Sequence, residues 1–424
     1  MIRAERLALI LALGLLAPAV AGAKTCPVDT GKLRRHIVSC QPEQSMAQCR
    51  KAVESISCSI TRELALINAV VITVPEDELE ATETKLAATP EVRAYEEDKY
   101  VKWIKAEAPV LPSFGFSSVP AFVPSGKSRN PIDPPSAHPT QPNANGQLPW
   151  GIARVNAPAA WKTNMGAGVK VAVVDTGIDY NHAALKANVK GGFNAVDEKN
   201  PDNFMDDQGH GSHVSGTIAG AYNNGQGAGG SGVIGVAPKA SLYGVKVLDA
   251  DGGGSYSTII AGIEWAVKNK MQVANMSLGA PEGTDALHQA IIAAKKAGLV
   301  ILAAAGNDSG GPTGYPAAYP ETISITASND KDEFASFSSK GPETNFIAPG
   351  EDVLSVKLGG GYIVHSGTSM ATPHMTGLAA LAVANGARGF TGVKNALIKA
   401  AAKLPGLTAE EQGYGLVSAA KLAK

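Results

Sequence analysis

From residue 150 onward, short apolar runs alternate with stretches in which apolar residues recur at helical spacing. The runs predicted as strands are 169–174, 241–247, 273–276, 299–304 and 322–327. The stretches predicted as helices are 211–221, 257–268, 284–297 and 370–384. Nearly continuous apolar strands that alternate with helices are typical of a mostly parallel sheet with helices on both faces. The pattern predicts an α/β domain over 150–424, with its site outside the carboxyl ends of the strands.

A smaller unit precedes this domain at residues 24–108. Its predicted strands are 35–39, 69–74 and 92–95, and its predicted helices are 42–55 and 76–88. Pro75 and Pro90 end elements in this unit. We interpret the pattern as a small α+β domain of β-α-β-β-α-β order with an antiparallel sheet.

Residues 109–149 have a different composition from both units. Ten of these 41 residues are proline, with Ser, Asn and Gly between them. Such a stretch cannot bury a core. We therefore predict an extended, protease-accessible linker.

The first 23 residues have the pattern of a secretory signal peptide. Arg3 and Arg6 form a short positive region, residues 7–16 form an apolar run, and Ala21-Gly22-Ala23 is a small-residue cleavage site. A membrane anchor is the alternative, but the run is shorter than the roughly 20 residues that span a bilayer. We expect secretion, extracellular or periplasmic, and no membrane association after the signal is removed.

All four cysteines lie in the N-terminal unit, at Cys26, Cys40, Cys49 and Cys58. In an exported chain an even number of cysteines predicts disulfides, and four cysteines allow three pairings. A zinc site is the alternative, and neither a CxxC pair nor a nearby histidine cluster supports it. The domain over 150–424 contains no cysteine, which excludes a cysteine protease there.

The charge of the chain bears on its partners. It has 37 basic and 38 acidic residues, a formal net charge of −1, and no large basic block. Nucleic acid is therefore not an expected partner. Only 5% of the residues are aromatic and 47 are glycine, which indicates closely packed elements joined by tight turns.

Asp175 directly follows a predicted strand. A carboxylate there can hold an imidazole from a neighbouring element, although a lone Asp in this place is commonly a turn or helix-cap residue. His210 and His213 lie three residues apart at a predicted helix start, so a metal pair is an alternative. A zinc hydrolase of the HExxH type needs a Glu directly after the first His, and Gly211 stands there instead.

Ser369 lies in the segment SGTSMATPH, just before an alanine-rich helix. A serine there is commonly an N-cap. The small flanking residues would also let a substrate backbone approach, and a helix N-terminus favours negative charge beside the hydroxyl. Asn307 ends another predicted strand, where its amide can donate to an oxyanion; a turn Asn is the alternative.

Two segments imitate other protease classes. Residues 307–312, NDSGGP, resemble the nucleophile segment of trypsin-like enzymes and nominate Ser309, but that class needs a two-barrel β fold. The DTG at 175–177 and DSG at 308–310 imitate the paired motifs of an aspartic protease, which needs an all-β, two-lobed body. The predicted alternation of strands and helices argues against both.

The order Asp175, His210, Ser369 is that of the subtilisin triad. Five segments, VAVVDTGID, GHGSHVSGTIAG, NMSLG, AAAGN and SGTSMATPH, resemble that family's motifs in order. The chain is thus similar to subtilisin-like serine proteases, the subtilases, over nearly all of 150–424. The resemblance implies a serine endopeptidase that is made as a self-processing precursor, with His213 in a structural role.

The resemblance also implies a role for each site residue. Ser369 Oγ would attack the peptide carbonyl, His210 would accept its proton, and Asp175 would hold the imidazole. The oxyanion would be bound by Asn307 and the backbone N–H of Ser369. The residues implied to bind substrate are Gly252, Gly253, Gly254, Ser277, Leu278 and Gly279, as two edge segments, and Gly314, at the floor of the specificity pocket.

A glycine at position 314 leaves room for a large side chain, and Ala303, Ala304 and Gly279 are the expected small walls. We expect broad specificity with a preference for large apolar side chains before the scissile bond. Asp308 is expected at the pocket rim.

Residues 33–104 resemble the inhibitory propeptide of the same family, through INAVVITV and VRAYEEDKY. The resemblance implies an intramolecular inhibitor that also assists folding. In the family the propeptide usually adjoins the mature enzyme, whereas the linker at 109–149 intervenes in this chain. The maturation point therefore stays open.

No cofactor is required for this chemistry, and the family's usual calcium site is not supported. Ala184 stands where a calcium-ligating Asp is frequent, and the loop at 222–233 is longer and glycine-rich. An acidic loop is the alternative calcium site, although solvation of its carboxylates is the simpler interpretation; its acidic residues are Asp197, Asp202, Asp206 and Asp207.

The expected partners are protein or peptide substrates and the chain's own propeptide, and the expected state is a monomer. A catalytically inactive relative that binds peptides in the same cleft is one alternative, and the presence of all three triad residues argues against it. A processing protease with a single target is another, which the sequence does not separate from a broad degrader.

Overall fold

A computed structural model describes residues 32–56, 59–104, 148–221 and 232–422. Several predicted features lie outside the described residues. They are the signal peptide at 1–23, Cys26, Cys58, the linker up to residue 147, and residues 222–231 of the glycine-rich loop.

The N-terminal domain is a four-stranded antiparallel sheet with two helices on one face. It contains β1 Leu33–Cys40, α1 Met46–Glu54, β2 Ser59–Leu64, β3 Ala69–Pro75, α2 Leu79–Ala87 and β4 Val92–Glu97. The strands lie in the order β2-β3-β1-β4. α1 begins with a capping box between Ser45 and Gln48, which satisfies backbone groups at the helix start. The β-α-β-β-α-β order is as predicted, and β2 is the strand that had no predicted range.

β3 is apolar except for Thr73, because the strand is buried on both faces. Val70, Ile72 and Val74 pack with α1 and α2 inside the N-terminal domain. Ala69 and Val71 point the other way and join a core of the C-terminal domain. Side chains alternate between the two faces of a strand, so β3 contributes side chains to the cores of both domains.

The C-terminal domain begins at two short helices and continues as an alternation of strands and helices. Its elements up to the middle of the domain are α3 Trp150–Arg154, α4 Ala157–Ala160, β6 Lys170–Asp175, β7 Val189–Asn194, α5 His210–Ala219, β8 Ser241–Lys246, β9 Gly253–Ser255 and α6 Tyr256–Lys268. The next are β10 Val273–Met276, α7 Asp285–Lys296, β11 Val300–Ala304, β12 Ile323–Ser328, β13 Thr344–Pro349, β14 Val353–Val356 and β15 Tyr362–His365. The last are α8 Thr368–Ala384, α9 Gly389–Ala400, β16 Ala401–Ala402, α10 Ala409–Gln412 and β17 Leu416–Val417. The N-terminal domain has one further strand after its four-stranded sheet, β5 Tyr100–Lys102.

The central sheet has nine strands in the order β16-β17-β13-β12-β11-β10-β6-β8-β7. All neighbouring pairs are parallel except β16 with β17. β6 lies between β8 on one side and β10 on the other, so the chain changes direction across the sheet at β6. In such sheets a crevice opens at the carboxyl ends of the strands beside that point.

Helices cover both faces of this sheet. Val171 and Val173 of β6 pack with α5 and α8, whereas Ala172 and Val174 pack with α6 and α7. This double burial explains the unbroken apolar runs in the sequence. The predicted fold class, a mostly parallel α/β sheet preceded by a small α+β domain, is confirmed.

Cys40 and Cys49 form a disulfide that joins the end of β1 to α1. Both half-cystines are buried in the core of the N-terminal domain. This bond excludes the two pairings in which Cys40 and Cys49 have other partners. In the described ranges, no helix combines the length and apolar character that a membrane crossing requires.

Candidate active site

Asp175 is the last residue of β6, and its side chain is fully buried. The backbone N–H of Thr176 donates to Asp175 Oδ1 at 2.7 Å. The carboxylate therefore has a set orientation at the carboxyl edge of the central sheet, beside the crevice.

His210 is the first residue of α5, and its ring faces Asp175. The distances from His210 Nδ1 to Asp175 Oδ1 and Oδ2 are 2.8 Å and 3.0 Å. An ionised carboxylate only accepts hydrogen bonds, so Nδ1 carries the proton and Nε2 presents a lone pair. Gly211 permits this contact, since a Cβ there would lie 2.1 Å from the carbonyl oxygen of Gly177.

Ser369 is the second residue of α8 and lines the same cavity as His210. The Ser369 hydroxyl donates to the carbonyl oxygen of Ser277 at 3.2 Å. The Ser277 hydroxyl in turn donates to the carbonyl oxygen of Ser369 at 2.8 Å. Asn275 Nδ2 donates to the Ser277 hydroxyl at 2.9 Å. These bonds attach the start of α8 to the end of β10.

Asn307 lies after β11 and faces the start of α8. Its side-chain oxygen accepts from the Thr368 N–H at 3.0 Å and from the Thr368 hydroxyl at 2.9 Å. Both acceptor bonds use the oxygen, so the amide nitrogen points away from Thr368. A Cβ at Gly367 would lie 3.3 Å from Asn307 Nδ2, so the glycine leaves room beside the amide. An amide held in this way can donate to charge that develops on a substrate oxygen.

A cavity beside Ser369 has small and apolar walls. It is lined among others by Leu278, Gly279, Ala280, Ala304, Gly306 and Gly314. Asp308 is exposed and also lines the cavity, as expected of a residue at the rim. Ala303 does not line it, contrary to the prediction, because side chains alternate along β11 and Ala303 packs in the core with α6 and α7.

The two predicted edge segments contact the N-terminal domain. β9 contains Gly253 and Gly254 and pairs with β5 as an antiparallel strand. The carbonyl oxygen of Gly252 accepts from Trp103 N–H at 3.1 Å, and Gly279 N–H donates to the carbonyl oxygen of Trp103 at 3.2 Å. Residues 100–104 thus run between both edges of the crevice.

Ser309, the alternative nucleophile, lies elsewhere. It is exposed in a turn with φ of 49°, and its N–H donates to the carbonyl oxygen of Phe337. His213 is fully buried: its Nε2 lies 3.1 Å from the carbonyl oxygen of Val353, and its ring contacts that of His365. Burial lowers the pKa of His213 well below its usual value. A neutral, enclosed ring of this kind has a packing role.

Three of the four acidic residues considered for calcium, Asp197, Asp206 and Asp207, have hydrogen-bond or ion-pair partners within the protein, and the fourth, Asp202, is exposed. Asp206 is buried, which differs from the expected solvated loop, and its carboxylate accepts five hydrogen bonds. Asp207 pairs with Lys246 at 2.6 Å, and Asp197 accepts from Asn200. Ala184 is buried in the core. Within the described residues, no group of three or more His, Cys, Asp or Glu side chains is arranged to hold a metal ion.

Four polar residues around the site were not predicted to belong to it: Thr176, Asp206, Lys246 and Thr368. Of these, Asp206 was considered from the sequence only as a calcium ligand. Thr176 and Thr368 directly adjoin Asp175 and Ser369 in the chain, and this adjacency is a signal that could have nominated them. Asp206 and Lys246 have no comparable signal, since only the folded chain brings them beside Thr176.

His374 in α8 gives the stability of the domain a pH dependence. Burial lowers its pKa to about 4, from the usual 6.5. In the unfolded chain His374 takes up a proton near pH 6.5, whereas in the folded chain it does so only near pH 4. The free energy of unfolding therefore decreases as the pH is lowered from 6.5 to 4. We expect His374→Gln to remove about 1.5 kcal/mol of the loss between pH 6.5 and pH 5.

The measurement for His374 is denaturant unfolding at a series of pH values, in a Ser369→Ala background. The variant is expected to have the flatter dependence even if it is less stable at every pH. Equal slopes with and without His374 would contradict the assignment.

The fold and the site together define an α/β protein in which Asp, His and Ser side chains gather at the crevice of a parallel sheet, as in hydrolases with a serine nucleophile. Residues 166–415 match the profile of Peptidase_S8, described as the Subtilase family. The chain therefore belongs to the subtilase family.

Individual relatives agree with this membership. The chain is 51% identical over 240 residues to "Subtilisin E" of Bacillus subtilis (strain 168), which covers 55% of this chain and 60% of that protein. It is 50% identical over 240 residues to "Subtilisin" of Bacillus pumilus, covering 84% of that protein. It is 45% identical over 242 residues to "Intracellular serine protease" of Paenibacillus polymyxa, covering 72% of it. The similarity thus spans about three fifths of the length of Subtilisin E.

Proposed function

We propose that this protein is a secreted serine endopeptidase that hydrolyses peptide bonds with Asp175, His210 and Ser369. The observation that carries the proposal is the 2.8 Å contact between His210 Nδ1 and Asp175 Oδ1, in a crevice that Ser369 also lines. Identity of about half of 240 aligned residues with proteins named subtilisin supports it.

The reaction begins at the Ser369 hydroxyl, which attacks the carbonyl carbon of the scissile bond. His210 Nε2 takes the hydroxyl proton and later gives it to the leaving amine. Asp175 keeps the other ring proton on Nδ1 and stabilises the imidazolium that forms. Asp175 can do so because it is buried and fixed by the Thr176 amide.

The carbonyl oxygen becomes negative as the tetrahedral intermediate forms. We assign its stabilisation to Asn307 Nδ2 and the backbone N–H of Ser369. The position of Ser369 in the first turn of α8 adds the favourable end of a helix dipole. Thr368 holds the oxygen end of the Asn307 amide and leaves its nitrogen end for the intermediate.

The substrate is proposed to bind as an extended strand between Gly252–Gly254 and Ser277–Gly279. The path of β5 supports this, because backbone groups of the N-terminal domain already form hydrogen bonds to both edges. Main-chain bonds of this kind hold a peptide with little dependence on its sequence. The side-chain cavity then supplies the preference.

The N-terminal domain is proposed to act as an intramolecular inhibitor. Its last described residues, Trp103 and Ile104, line the cavity that contains Ser369 and His210. Trp103 is buried against Tyr256, and its indole N–H donates to the carbonyl oxygen of Gly254. A substrate cannot enter while this segment occupies the crevice.

Carboxylates of the N-terminal domain contact the starts of two helices. Asp98 accepts from the N–H and the hydroxyl of Ser257 in α6, at 2.8 Å each. Glu96 accepts from Asp285 and Ala286 at the start of α7. Negative charge is favoured at helix N-termini, so these contacts contribute to the affinity between the domains. Burial raises the pKa of Glu96, so part of that gain offsets desolvation.

We further propose export, a monomeric state, no cofactor in the chemistry, and no calcium at the family's usual position. The Cys40–Cys49 disulfide supports an oxidising compartment. Ala184 lacks an oxygen ligand on its side chain, which argues against that calcium site. A processing protease with one target remains the alternative, and hydrolysis of a peptide library would separate it from a broad degrader.

A phosphonate that reacts with activated serines tests the function directly. After removal of the N-terminal domain, we expect its mass to be added to the peptide that contains Ser369. Labelling at another serine, or none in a protein that hydrolyses peptides, would overturn the proposal.

The disulfide is expected to strengthen the inhibitory domain. Replacing both cysteines, as Cys40→Ser with Cys49→Ser, should destabilise that domain by about 2–4 kcal/mol, since the bridge restricts its unfolded chain. The precursor should then become active sooner, as followed by peptide hydrolysis over time. Mass spectrometry without reductant should find neither cysteine as a free thiol in the wild-type precursor. Free thiols at both positions would contradict the prediction.

Gly314 is expected to determine side-chain preference. Gly314 and Ala280 both line the cavity, and a Cβ at Gly314 would lie 3.0 Å from the carbonyl oxygen of Ala280, so a larger residue would take up space at this wall. Gly314→Val should lower kcat/KM for cleavage after Phe, Tyr, Leu or Met by about tenfold or more, relative to Ala. The wild-type protein should cleave worst after Asp, Glu or Gly.

Gly392→Val is the matched control for Gly314→Val, because Gly392 lies in α9 and a Cβ there meets nothing closer than 4.0 Å. Its cleavage profile should equal that of the wild type. A peptide-library profile that Gly314→Val leaves unchanged, or one dominated by paired basic residues, would show that the cavity does not select the side chain.

A further inference from the structure

The carboxylate of Asp206 is buried beside the active site, and both of its oxygens accept hydrogen bonds. Its Oδ1 accepts from the Thr176 hydroxyl at 2.8 Å, from Gln208 N–H at 3.0 Å and from Gly209 N–H at 2.9 Å. Its Oδ2 accepts from the N–H and the hydroxyl of Ser212, at 2.9 Å and 2.6 Å. All five partners donate, which is the arrangement that suits an ionised carboxylate.

These partners lie on both sides of the Asp175–His210 pair. Gly209 directly precedes His210, and Thr176 directly follows Asp175. The Thr176 hydroxyl also accepts from the N–H of Gly211, which follows His210, at 3.0 Å. One carboxylate and one hydroxyl therefore connect the residue after Asp175 to the residues before and after His210.

Thr176 is held by its backbone as well as by its side chain. Lys246 Nζ, which is almost fully buried, donates to the carbonyl oxygen of Thr176 at 2.7 Å. The N–H of Thr176 is the group that orients Asp175 Oδ1. Any shift of Thr176 therefore moves the carboxylate that His210 contacts.

From these bonds we propose that Asp206 is a positioning residue, which sets the contact between His210 and Asp175 through the Thr176 hydroxyl. The inference rests on the proposed function, because it concerns the same reaction. Asp206 does not line the cavity that contains Ser369. Its effect is therefore on geometry, and a misplacement of about 1 Å in a catalytic group can lower the rate about 10²-fold.

The first test is Asp206→Asn in the full chain, matured by a trace of immobilised wild-type protein. The amide nitrogen cannot accept a hydrogen bond, so one of the two oxygen positions loses its donors. We expect kcat for peptide hydrolysis to fall about 10²-fold while KM stays near the wild-type value. The acid limb of the kcat/KM profile should move to lower pH, because the imidazolium of His210 loses a nearby negative charge.

Two substitutions of Thr176 test the positioning contact between Asp206 and the Thr176 hydroxyl without changing a charge. Thr176→Ser keeps the hydroxyl and should retain activity close to that of the wild type. Thr176→Val keeps the volume but removes the hydroxyl, and its kcat should fall to the level of Asp206→Asn. A role in packing alone would not distinguish the two variants in this way.

Asp179→Asn is the matched control for the loss of a buried carboxylate. Asp179 accepts three backbone hydrogen bonds, from Asn181, His182 and Gly359, and none of these residues adjoins Asp175 or His210. This variant should lose stability but keep the wild-type kcat. A wild-type kcat in Asp206→Asn, an effect on KM alone, or a loss equal to that of Asp179→Asn would overturn the proposal.

Two further outcomes are decisive. If Asp206→Asn does not fold, equal kcat values for Thr176→Ser and Thr176→Val overturn the positioning role. Ser369→Ala in the same assay separates the two levels of inference. An inactive Ser369→Ala beside a fully active Asp206→Asn refutes only the positioning role, whereas an active Ser369→Ala refutes the proposed function.

Discussion

Ser369→Ala is expected to abolish peptide hydrolysis and to leave the precursor uncut. The change removes the only proposed nucleophile, and alanine keeps the backbone of α8 in place. The loss in kcat should be on the order of 10⁶-fold, a magnitude that was established with subtilisin itself. The measurements are release of a chromogenic amine from a peptide substrate and the mass of the purified chain.

Ser309→Ala is the matched control, because Ser309 belongs to the segment that resembles a trypsin-like nucleophile site. It lies exposed in a turn, so its hydroxyl can be removed with little effect on the fold. We expect this variant to remain active and to process itself. An inactive Ser309→Ala beside an active Ser369→Ala would reverse the assignment of the nucleophile.

The alternation of apolar runs was enough to predict five of the nine strands of the central sheet, β6, β8, β10, β11 and β12. The strands toward both edges were missed: β7 on one side, and β13, β17 and β16 on the other. β7 has the sequence VKGGFN, and its two glycines weaken the pattern that indicates a strand. The folded chain needs a glycine at this edge, since a Cβ at Gly192 would lie 2.2 Å from the carbonyl oxygen of Gly244. Close approach between strands is a tertiary requirement that a single sequence does not reveal.

The candidate site was predictable where it follows strand ends and helix starts. Asp175 is the last residue of β6, Asn307 follows β11, and Ser369 lies in the first turn of α8. The proposed positioning role of Asp206 was not predictable, because it depends on a contact with Thr176, 30 positions away in the chain. Nothing in the sequence distinguishes Asp206 from the other three acidic residues considered for calcium, and only its burial in the folded chain does so.

The cysteine pairing shows the same limit. Four cysteines permit three pairings, and the spacing alone favours none. Folding of the N-terminal domain packs α1 over the end of β1, which brings the Cα atoms of Cys40 and Cys49 to 5.7 Å. The helix and strand were both predicted, but their contact was not.

Asn307→Leu is expected to lower kcat by about 10²–10³-fold with little change in KM; this range comes from the corresponding asparagine of subtilisin. The physical reason is that the amide donates to a charge that exists only in the transition state. Leucine has a similar volume but no donor. Thr368 would lose the acceptor of its N–H and hydroxyl, which adds a smaller cost in stability.

Separate determination of kcat and KM on a peptide substrate distinguishes this role from simple binding. Asn269→Leu is the control, since Asn269 is exposed at the end of α6 and its amide donates to the carbonyl oxygen of Trp265. That variant should have wild-type kinetics. If Asn307→Leu raised KM and left kcat unchanged, the amide would be binding the ground state, and the negative oxygen of the intermediate would need another donor.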